Sequence, residues 1–342
     1  MKPWSREYAG RIDELTIDSE ALRGNPLGDP SERPLWAYTP PGYDDQTERR
    51  YPCVYVIQGM TGQLDMWRNR DAFRPTFPEL MDELFATGGA PPAIVVLVDC
   101  WTSYGGSQFI NSPGTGRYLD YLCDEVVEFV DARYRTDARR ETRGITGKSS
   151  GGYGALVVPM LRPDLFSGLA CHCGDSLFEA CYLPDFPKAV RALREEYGGS
   201  YDRFWEDFRS RPAWTKPTDE AIFEPYGYAA CYSADEDGRV RLPFEIETGR
   251  LIDEVWQRWL AWDPVRMTPR YANELRQMRA VYLDAGKKDE FFLDNGMVAV
   301  SRELEKIGVE HTLDLFDGGH MGINYRYPKS LAFLARALSE PS

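Results

Sequence analysis

The chain contains 342 residues, 43% of them hydrophobic, and carries a formal net charge of −14 at pH 7. This length and apolar content allow a large buried core, in one large domain or two smaller ones. The negative charge would repel a polyphosphate backbone, and no basic run interleaved with aromatic residues offsets it, so we do not expect nucleic acid as a partner.

The apolar runs are short: the longest has about six residues, near 93–98, against roughly 20 for a membrane-spanning helix. The N-terminal stretch MKPWSREYAGRIDEL lacks the apolar centre of a signal peptide. We therefore expect a cytoplasmic protein that makes no membrane contact. The seven cysteines are an odd number scattered along a long chain, which predicts reduced, buried thiols.

Short apolar and β-branched runs alternate with helical patterns along the chain. Such alternation predicts an α/β fold with a mostly parallel central sheet flanked by helices. The predicted strands lie at 35–38, 53–57, 93–98, 144–146, 168–171, 280–283 and 312–316. The predicted helices of this core lie at 120–134, 295–307 and 327–338, and Gly308 ends the second of them.

The stretch 176–278 departs from this alternation, because it contains helical patterns at 188–197, 201–209 and 250–262 and no convincing strand. Five of the nine tryptophans lie in it. We predict that residues 1–342 form a single domain and that 176–278 is a helical cap over the sheet edge where ligands bind. We expect most of these tryptophans to hold the cap together and one or two to line a pocket.

The segment GITGKSSGGYG at 144–154 fits two kinds of motif. A phosphate-binding loop needs a glycine five residues before Gly147, where Thr142 stands instead. The motif G-x-S-x-G is satisfied by Gly147, Ser149 and Gly151, and it places the serine on a sharp turn from strand to helix. We therefore predict that Ser149 is a nucleophile.

A serine nucleophile needs a base, and the base needs an acid to orient it. Among the three histidines, His320 is the predicted base, because it follows an apolar run in a glycine-flanked turn. The predicted acid is Asp289, in the loop after the strand at 280–283, with Glu290 and Asp175 as alternatives. Ser, acid and His then follow the chain order of α/β-hydrolases.

Two backbone N–H groups should face the developing oxyanion. The residue after the nucleophile, Ser150, supplies one, and Met60, in the loop after the strand at 53–57, supplies the other. A zinc reading of Cys171-His172-Cys173 is not favoured, since alternate residues of a strand face opposite sides and no second Cys or His cluster completes four ligands. We expect neither a metal nor a cofactor.

Six segments together resemble the family of esterases within the α/β-hydrolases that includes esterase D (S-formylglutathione hydrolase), enterochelin esterases and mycolyltransferases. These segments are RPLWAYTPPGYD, YPCVYVIQGMTG, YLCDEVVEFVDARYRT, GKSSGGYGAL, LDAGKKDEFFL and FDGGH. The resemblance implies an α/β-hydrolase fold with the roles given above for Ser149, Asp289, His320, Met60 and Ser150. Many members carry His-Ser-Met around the nucleophile, whereas Lys148 and Ser150 flank Ser149 here; Lys148 could reach a substrate carboxylate or, more commonly, pair with a surface acid.

The predicted activity is hydrolysis of carboxylic esters, or thioesters, through a covalent acyl-enzyme. The alternatives are an acyltransferase with the same triad and a non-catalytic scaffold that binds a ligand or partner. The predicted partner is a small-molecule ester, and formation of a homo-oligomer is left open. Predicted substrate contacts come from the segment DCWTSYGGSQFINS, with Trp101 and Tyr104 as pocket walls and Gln108 and Asn111 as polar contacts.

Overall fold

The computed structural model describes residues 6–340, which fold around one eight-stranded sheet and a separate two-stranded hairpin. The hairpin consists of β5 and β6. The strands are β1 (Arg11–Asp18), β2 (Glu32–Thr39), β3 (Cys53–Ile57), β4 (Ile94–Val98), β5 (Asn111–Ser112), β6 (Gly116–Arg117), β7 (Arg143–Lys148), β8 (Gly168–His172), β9 (Ala280–Gly286) and β10 (Thr312–Phe316).

The large sheet has the order β1-β2-β4-β3-β7-β8-β9-β10. Strand β2 is antiparallel to both of its neighbours, and every other neighbouring pair is parallel. The central strands β3 and β4, CVYVI and IVVLV, are buried on both faces, as expected of parallel strands covered by helices. The predicted α/β fold with a mostly parallel sheet is confirmed.

Helices cover both faces of the sheet. On one face, α1 and α13 pack on Val54, Val56, Val95 and Leu97, and on the other, α3, α4 and α12 pack on the alternate residues of the same strands. The helices are α1 (Phe77–Ala86), α2 (Tyr118–Asp120), α3 (Val127–Arg133), α4 (Ser150–Leu161), α5 (Phe178–Cys181), α6 (Phe186–Tyr197), α7 (Tyr201–Ser210), α8 (Asp219–Tyr232), α9 (Asp253–Leu260), α10 (Pro264–Arg270), α11 (Ala272–Leu275), α12 (Leu293–Lys306) and α13 (Tyr327–Ser339).

Some elements were not predicted from the sequence. Strand β1 is a half-exposed edge strand whose apolar and polar residues do not strictly alternate. Its pairing with β2 stabilises it as a strand. Helix α8 contains Pro225, a residue that normally argues against a helix interior. Helix α1 begins with a capping box between Thr76 and Glu79. This motif is visible in the sequence, although α1 is not among the predicted helices.

The segment between β8 and β9 consists of helices α5 to α11 and their connections. Trp256 and Trp259 are buried there in the main core, and Trp205 lies in a separate aromatic cluster with α7 and α8. Trp214 is 47% exposed. All seven cysteines are buried and free of disulfides, as predicted. Within residues 6–340, no helix is both long and apolar enough to cross a membrane.

Candidate active site

Ser149 joins strand β7 to helix α4 without an intervening loop. Its backbone has φ 60° and ψ −127°, a conformation that residues other than glycine rarely adopt and that costs about 1 to 3 kcal/mol. The Ser149 N–H donates to the His172 carbonyl at 2.9 Å, which fixes this turn against strand β8. A connection this short cannot wrap a polyphosphate, so the phosphate-loop interpretation is excluded.

The glycines on either side of Ser149 are required by close backbone contacts. A Cβ on Gly147 would lie 2.6 Å from the Ile57 carbonyl oxygen, and one on Gly151 would lie 2.9 Å from the Gln58 carbonyl oxygen. Both distances are shorter than real Cβ contacts allow. The turn can therefore approach the end of strand β3 only because these two residues carry no side chain.

His320 and Asp289 lie next to each other in the loops after strands β10 and β9. His320 Nδ1 is 2.9 Å from Asp289 Oδ2, and both side chains are almost completely buried. Asp289 Oδ1 also accepts from the backbone N–H groups of Phe291 at 2.9 Å and Leu293 at 3.4 Å. Burial opposes ionisation of Asp289, but the hydrogen bond and charge of His320 outweigh it and hold the carboxyl pKa below its usual value.

Glu290 supports the His320 loop through the backbone. Its Oε2 accepts from the His320 backbone N–H at 2.7 Å, and no hydrogen bond joins it to the His320 ring within the described chain. The ring of Phe291 meets the His320 ring edge to face, with centroids 4.9 Å apart. These contacts fix the imidazole in position, with Asp289 on its Nδ1 side.

Two side-chain atoms, His320 Nε2 and Ser149 Oγ, form no hydrogen bond with any protein group across residues 6–340. Ser149 and Phe291 line the same pocket, and Phe291 contacts the His320 ring. The geometry therefore brings the three predicted residues to one edge of the sheet and leaves Ser149 Oγ and His320 Nε2 without a partner among the described residues.

The backbone of Met60 and Ser150, the predicted oxyanion donors, lies near Ser149. A Cβ on Gly59 would be 3.3 Å from Ser149 Cβ, so the Met60 turn borders the serine. Hydrogen bonds from Thr61 N–H to the Gly105 carbonyl (2.8 Å) and from Gly62 N–H to the Gly59 carbonyl (3.1 Å) hold this turn, while the Met60 N–H has no acceptor in the described residues. Ser150 begins α4, and the first N–H of a helix has no intrahelical acceptor.

Asp175 lies close to Ser149 but is bound to other groups. Its Oδ2 accepts from Tyr182 Oη at 2.9 Å, Ser150 Oγ at 3.0 Å and Gln108 Nε2 at 3.2 Å. Burial raises the pKa of Asp175, against the lowering effect of these donors. Asp175 therefore braces the Ser150 side chain, and no hydrogen bond connects it to His320 in the part of the chain described.

The predicted substrate contacts fall into two groups. Trp101 and Tyr104 line a cavity beside the Met60 turn. Gln108 is completely buried and donates to Tyr232 Oη at 2.7 Å, so it belongs to the Asp175 network. Asn111 is exposed and accepts from the N–H groups that begin α2. Its side-chain oxygen thus binds the start of α2, and its contact with substrate stays a prediction.

A second trio of Ser, His and Asp lies in the core. His172 Nδ1 is 2.7 Å from Asp284 Oδ1, and His172 Nε2 is 2.8 Å from Ser330 Oγ. All three side chains are completely buried. They connect β8, β9 and α13, and a substrate cannot reach them. These contacts give His172 a structural role.

Cys173 borders the site and was not predicted to do so. Donor atoms of Cys173, Asp289 and His320 all lie within 4.8 Å of one another, so the thiol borders the His–Asp pair. Burial raises the Cys173 pKa well above its usual value, so this thiol is uncharged at neutral pH.

Lys148 contacts Met321 Sδ at 3.6 Å and forms no ion pair with any described residue, so the expected surface pair is wrong. Burial lowers the Lys148 pKa.

A buried ion pair anchors the loop that carries Met60. Arg33 binds Asp99, and both side chains are at most 6% exposed. The other Asp99 oxygen accepts from Leu64 N–H at 3.3 Å and Gln58 Nε2 at 3.4 Å, on either side of the loop. The position of the Met60 N–H therefore depends on a charge pair at the ends of β2 and β4.

With this geometry established, comparison with known proteins identifies the family. Residues 30–326 match the family described as putative esterase. The chain belongs to this family. Family membership supports the prediction of a carboxylesterase-type hydrolase, and it confirms the resemblance found in the sequence.

Two relatives of this esterase-family chain are each about a quarter identical to it over the matched residues. It is 24% identical over 196 residues to an uncharacterized protein of Corynebacterium glutamicum, covering 57% of this chain and 41% of the relative. It is 25% identical over 205 residues to an endo-1,4-beta-xylanase/feruloyl esterase of Xylanibacter ruminicola, covering 57% of this chain and 25% of the relative. The chain thus spans less than half the length of these curated relatives.

A solved structure of a ferulic acid esterase is similar over nearly the whole length. The TM-score is 0.62 at 18% identity, and the match covers 97% of this chain and 100% of that one. This likeness establishes the common fold: a mostly parallel sheet flanked by helices, as in the α/β-hydrolase esterases.

Removing one partner of the Arg33–Asp99 pair tests its role. Arg33→Leu should lower the free energy of unfolding by about 3 to 5 kcal/mol, because it leaves the Asp99 charge buried without a partner. The double variant Arg33→Leu/Asp99→Leu should lose less than the single one. Urea denaturation gives both values, and a double variant less stable than the single one would contradict this account.

Proposed function

We propose that this protein is a serine esterase that cleaves carboxylic esters through an acyl-enzyme on Ser149. The observation that carries the proposal is the strained turn of Ser149, placed at the sheet edge beside the buried His320–Asp289 pair. Strained backbone held by surrounding structure is concentrated at functional sites. Membership of the esterase family supports the same reaction class.

In the first step, Ser149 Oγ attacks the ester carbonyl carbon while His320 Nε2 takes the hydroxyl proton. Asp289 accepts from Nδ1, so the proton-free nitrogen faces the serine, and the carboxylate stabilises the imidazolium that forms. The low pKa of Asp289 keeps it charged at neutral pH, as this role requires. The imidazolium then protonates the alcohol oxygen as its bond to the carbonyl carbon breaks.

The tetrahedral intermediate carries a negative oxygen, which the N–H groups of Met60 and Ser150 would stabilise. Neither N–H needs to break a protein hydrogen bond to do so, and the helix dipole of α4 favours negative charge at its N-terminus. In the second step His320 removes a proton from water, whose oxygen attacks the acyl carbon. Collapse of that intermediate frees the carboxylic acid and returns the proton to Ser149.

The buried trio of Ser330, His172 and Asp284 is not a rival site. Its three side chains have no exposed surface, and Ser330 lies within helix α13 in ordinary helical backbone. The Ser330 hydroxyl is already hydrogen-bonded to His172 and to the Tyr327 carbonyl. These features support Ser149 as the nucleophile, because an ester can reach the sheet edge and cannot reach the core.

We further propose that the helical segment 176–278 acts as a cap that selects the ester. Trp205, Phe208, Trp214 and Phe223, from this segment, face Tyr104 across an apolar groove. The groove also includes Thr61 and Gly105, which border the Met60 turn. A flat apolar group of the substrate, placed there, would lie beside the oxyanion site.

Ser149→Ala should reduce ester hydrolysis by at least about 10³-fold, since loss of a triad serine costs roughly 10⁶ in subtilisin. A fluorophosphonate probe should label the native protein at Ser149 and fail to label this variant. Ser150→Ala is the matched control, because its proposed role is carried by the backbone. If Ser149→Ala keeps more than about a tenth of the activity, the nucleophile is another residue.

The three candidate acids can be compared directly. Asp289→Asn should lower kcat by about 10⁴-fold, the value known for the chymotrypsin-type triad, because the imidazole takes the wrong tautomer. Glu290→Gln should cost far less, since Glu290 meets only backbone of His320. Asp175→Asn should also cost far less. Steady-state kinetics decide, and the largest loss in Asp175→Asn would transfer the acid role to the loop after β8.

Two tryptophans test the cap. Trp214→Ala should change the kcat/KM ratio between a bulky aryl-acyl ester and the acetyl ester of the same alcohol by about threefold or more, with little change in melting temperature. Trp259, fully buried and bonded through Nε1 to Ser233 Oγ at 2.8 Å, is the packing control. Trp259→Ala should cost about 3 to 5 kcal/mol of stability. An unchanged ratio in Trp214→Ala would argue that the groove takes no substrate group.

A further inference from the structure

A second pocket opens beside Ser149, opposite in character to the apolar groove. It holds about 320 Å³ of atom-free space including its open mouth. Three of its walls are carboxyl side chains, from Asp175, Asp185 and Glu224, and three are aromatic rings, from Tyr182, Tyr228 and Phe291. The catalytic role proposed for this pocket does not use these carboxyls, so their presence needs a separate explanation.

Asp175 presents a free oxygen to this pocket. The residue is only 3% exposed, and its three hydrogen bonds all go to Oδ2. Its Oδ1 accepts no hydrogen bond from any residue in the described range. Oδ1 therefore keeps its full capacity to accept hydrogen bonds. A ligand that donates a hydrogen bond to Oδ1 would use this capacity.

Glu224 is a second carboxyl without a partner. It projects from helix α8 and forms neither a hydrogen bond nor an ion pair with the rest of residues 6–340. Burial raises the Glu224 pKa well above its usual value, and the nearby charges of Glu220, Asp175 and Asp185 raise it further. In the empty pocket the Glu224 carboxyl therefore favours its neutral, protonated form, and a positive charge beside it would favour the carboxylate instead.

Lys148 interacts electrostatically with Asp175, but it does not line the pocket, and burial lowers its pKa. Neither lysine nor arginine is among the pocket's described lining residues. Lys188 binds Asp185 at 2.8 Å but is itself 66% exposed, so it offsets the charge of Asp185 alone, at the outer edge of the pocket. The aromatic walls suit a cation as well, since Tyr182 and Tyr228 have ring centroids 4.6 Å apart and tyrosine faces attract ammonium groups.

We propose that this pocket binds a protonated amine carried by the ester substrate, with Glu224 and Asp175 as the residues that recognise it. The inference rests on the proposed esterase activity and specifies its substrate class. A neutral sugar or phenol hydroxyl could donate to Asp175 but would bring no charge to favour the ionised carboxyls. An ammonium group both donates the hydrogen bond and supplies the charge.

The test uses three esters of 1-naphthol that differ in one terminal group: 6-aminohexanoate, 6-hydroxyhexanoate and heptanoate. At neutral pH the ammonium, hydroxyl and methyl groups are nearly equal in size. The native enzyme should prefer the amine to the methyl ester by about tenfold or more in kcat/KM, and the hydroxyl ester should lie near the methyl ester. Equal preference for amine and hydroxyl would overturn the assignment of a cation.

The amine could belong to the alcohol part of the ester instead of the acyl part, and a second pair separates these sources. It compares 5-aminopentyl acetate with hexyl acetate, which again differ by ammonium against methyl. A preference in either pair supports the proposal and identifies the part of the substrate that enters the pocket. A ratio near one in both pairs would overturn it.

Glu224→Gln removes one charge with little change of shape. It should lower the amine-to-methyl ratio of the preferred pair by about fivefold or more. Glu236→Gln is the matched control, an equal charge change at an exposed residue beyond the end of the same helix, and should leave the ratio within about twofold. If both variants change the ratio equally, the preference reflects overall charge and the pocket is not its source.

Failure of this inference can be told from failure of the proposed function. If Ser149 is not the nucleophile, hydrolysis of 1-naphthyl heptanoate by the native protein will be absent or will survive Ser149→Ala. If only the substrate class is wrong, the heptanoate ester will be hydrolysed in a Ser149-dependent way while the amine-to-methyl ratios stay near one.

Discussion

The backbone of Ser149 is held in a conformation that an isolated chain would leave, and the surrounding strands keep it there. The serine N–H is bonded to the β8 carbonyl at His172, and Gly147 and Gly151 allow contact with the end of β3. Because β7 passes into α4 within one residue, the helix start, the serine and the Met60 turn meet at a single point. The reaction proposed for the site depends on this meeting, since donors and nucleophile must be fixed before substrate arrives.

Two buried carboxyls near Ser149 differ in pKa, and the difference follows from their partners. Asp289 is bonded to an imidazole that can become charged, so its pKa is lowered in spite of burial. Asp175 is bonded to neutral hydroxyl and amide donors, which do not offset burial, so its pKa is raised. The two carboxyls therefore favour different forms: Asp289 the carboxylate, and Asp175 the neutral acid.

The central strands and the serine turn could be predicted because their sequences encode them locally: β3 and β4 are apolar on both faces, and the glycine spacing around Ser149 permits one kind of turn. His320 and Asp289 could be predicted to lie nearby because the carboxyl ends of parallel strands share an edge. The position of Glu224 could not be predicted. It depends on where helix α8 packs in the folded chain. Pro225 lies within α8, and a proline in the sequence argues against a helix there.

The buried trio of Ser330, His172 and Asp284 has a practical consequence. Both of its hydrogen bonds are formed, at 2.8 and 2.7 Å, whereas Ser149 and His320 are not hydrogen-bonded to each other in the described chain. A geometric template for hydrolase triads would therefore select the core trio first and rank Ser149 below it. Such a template measures neither solvent access nor backbone strain. These two properties distinguish Ser149 from Ser330, whose hydroxyl joins a strand to a helix by hydrogen bonds.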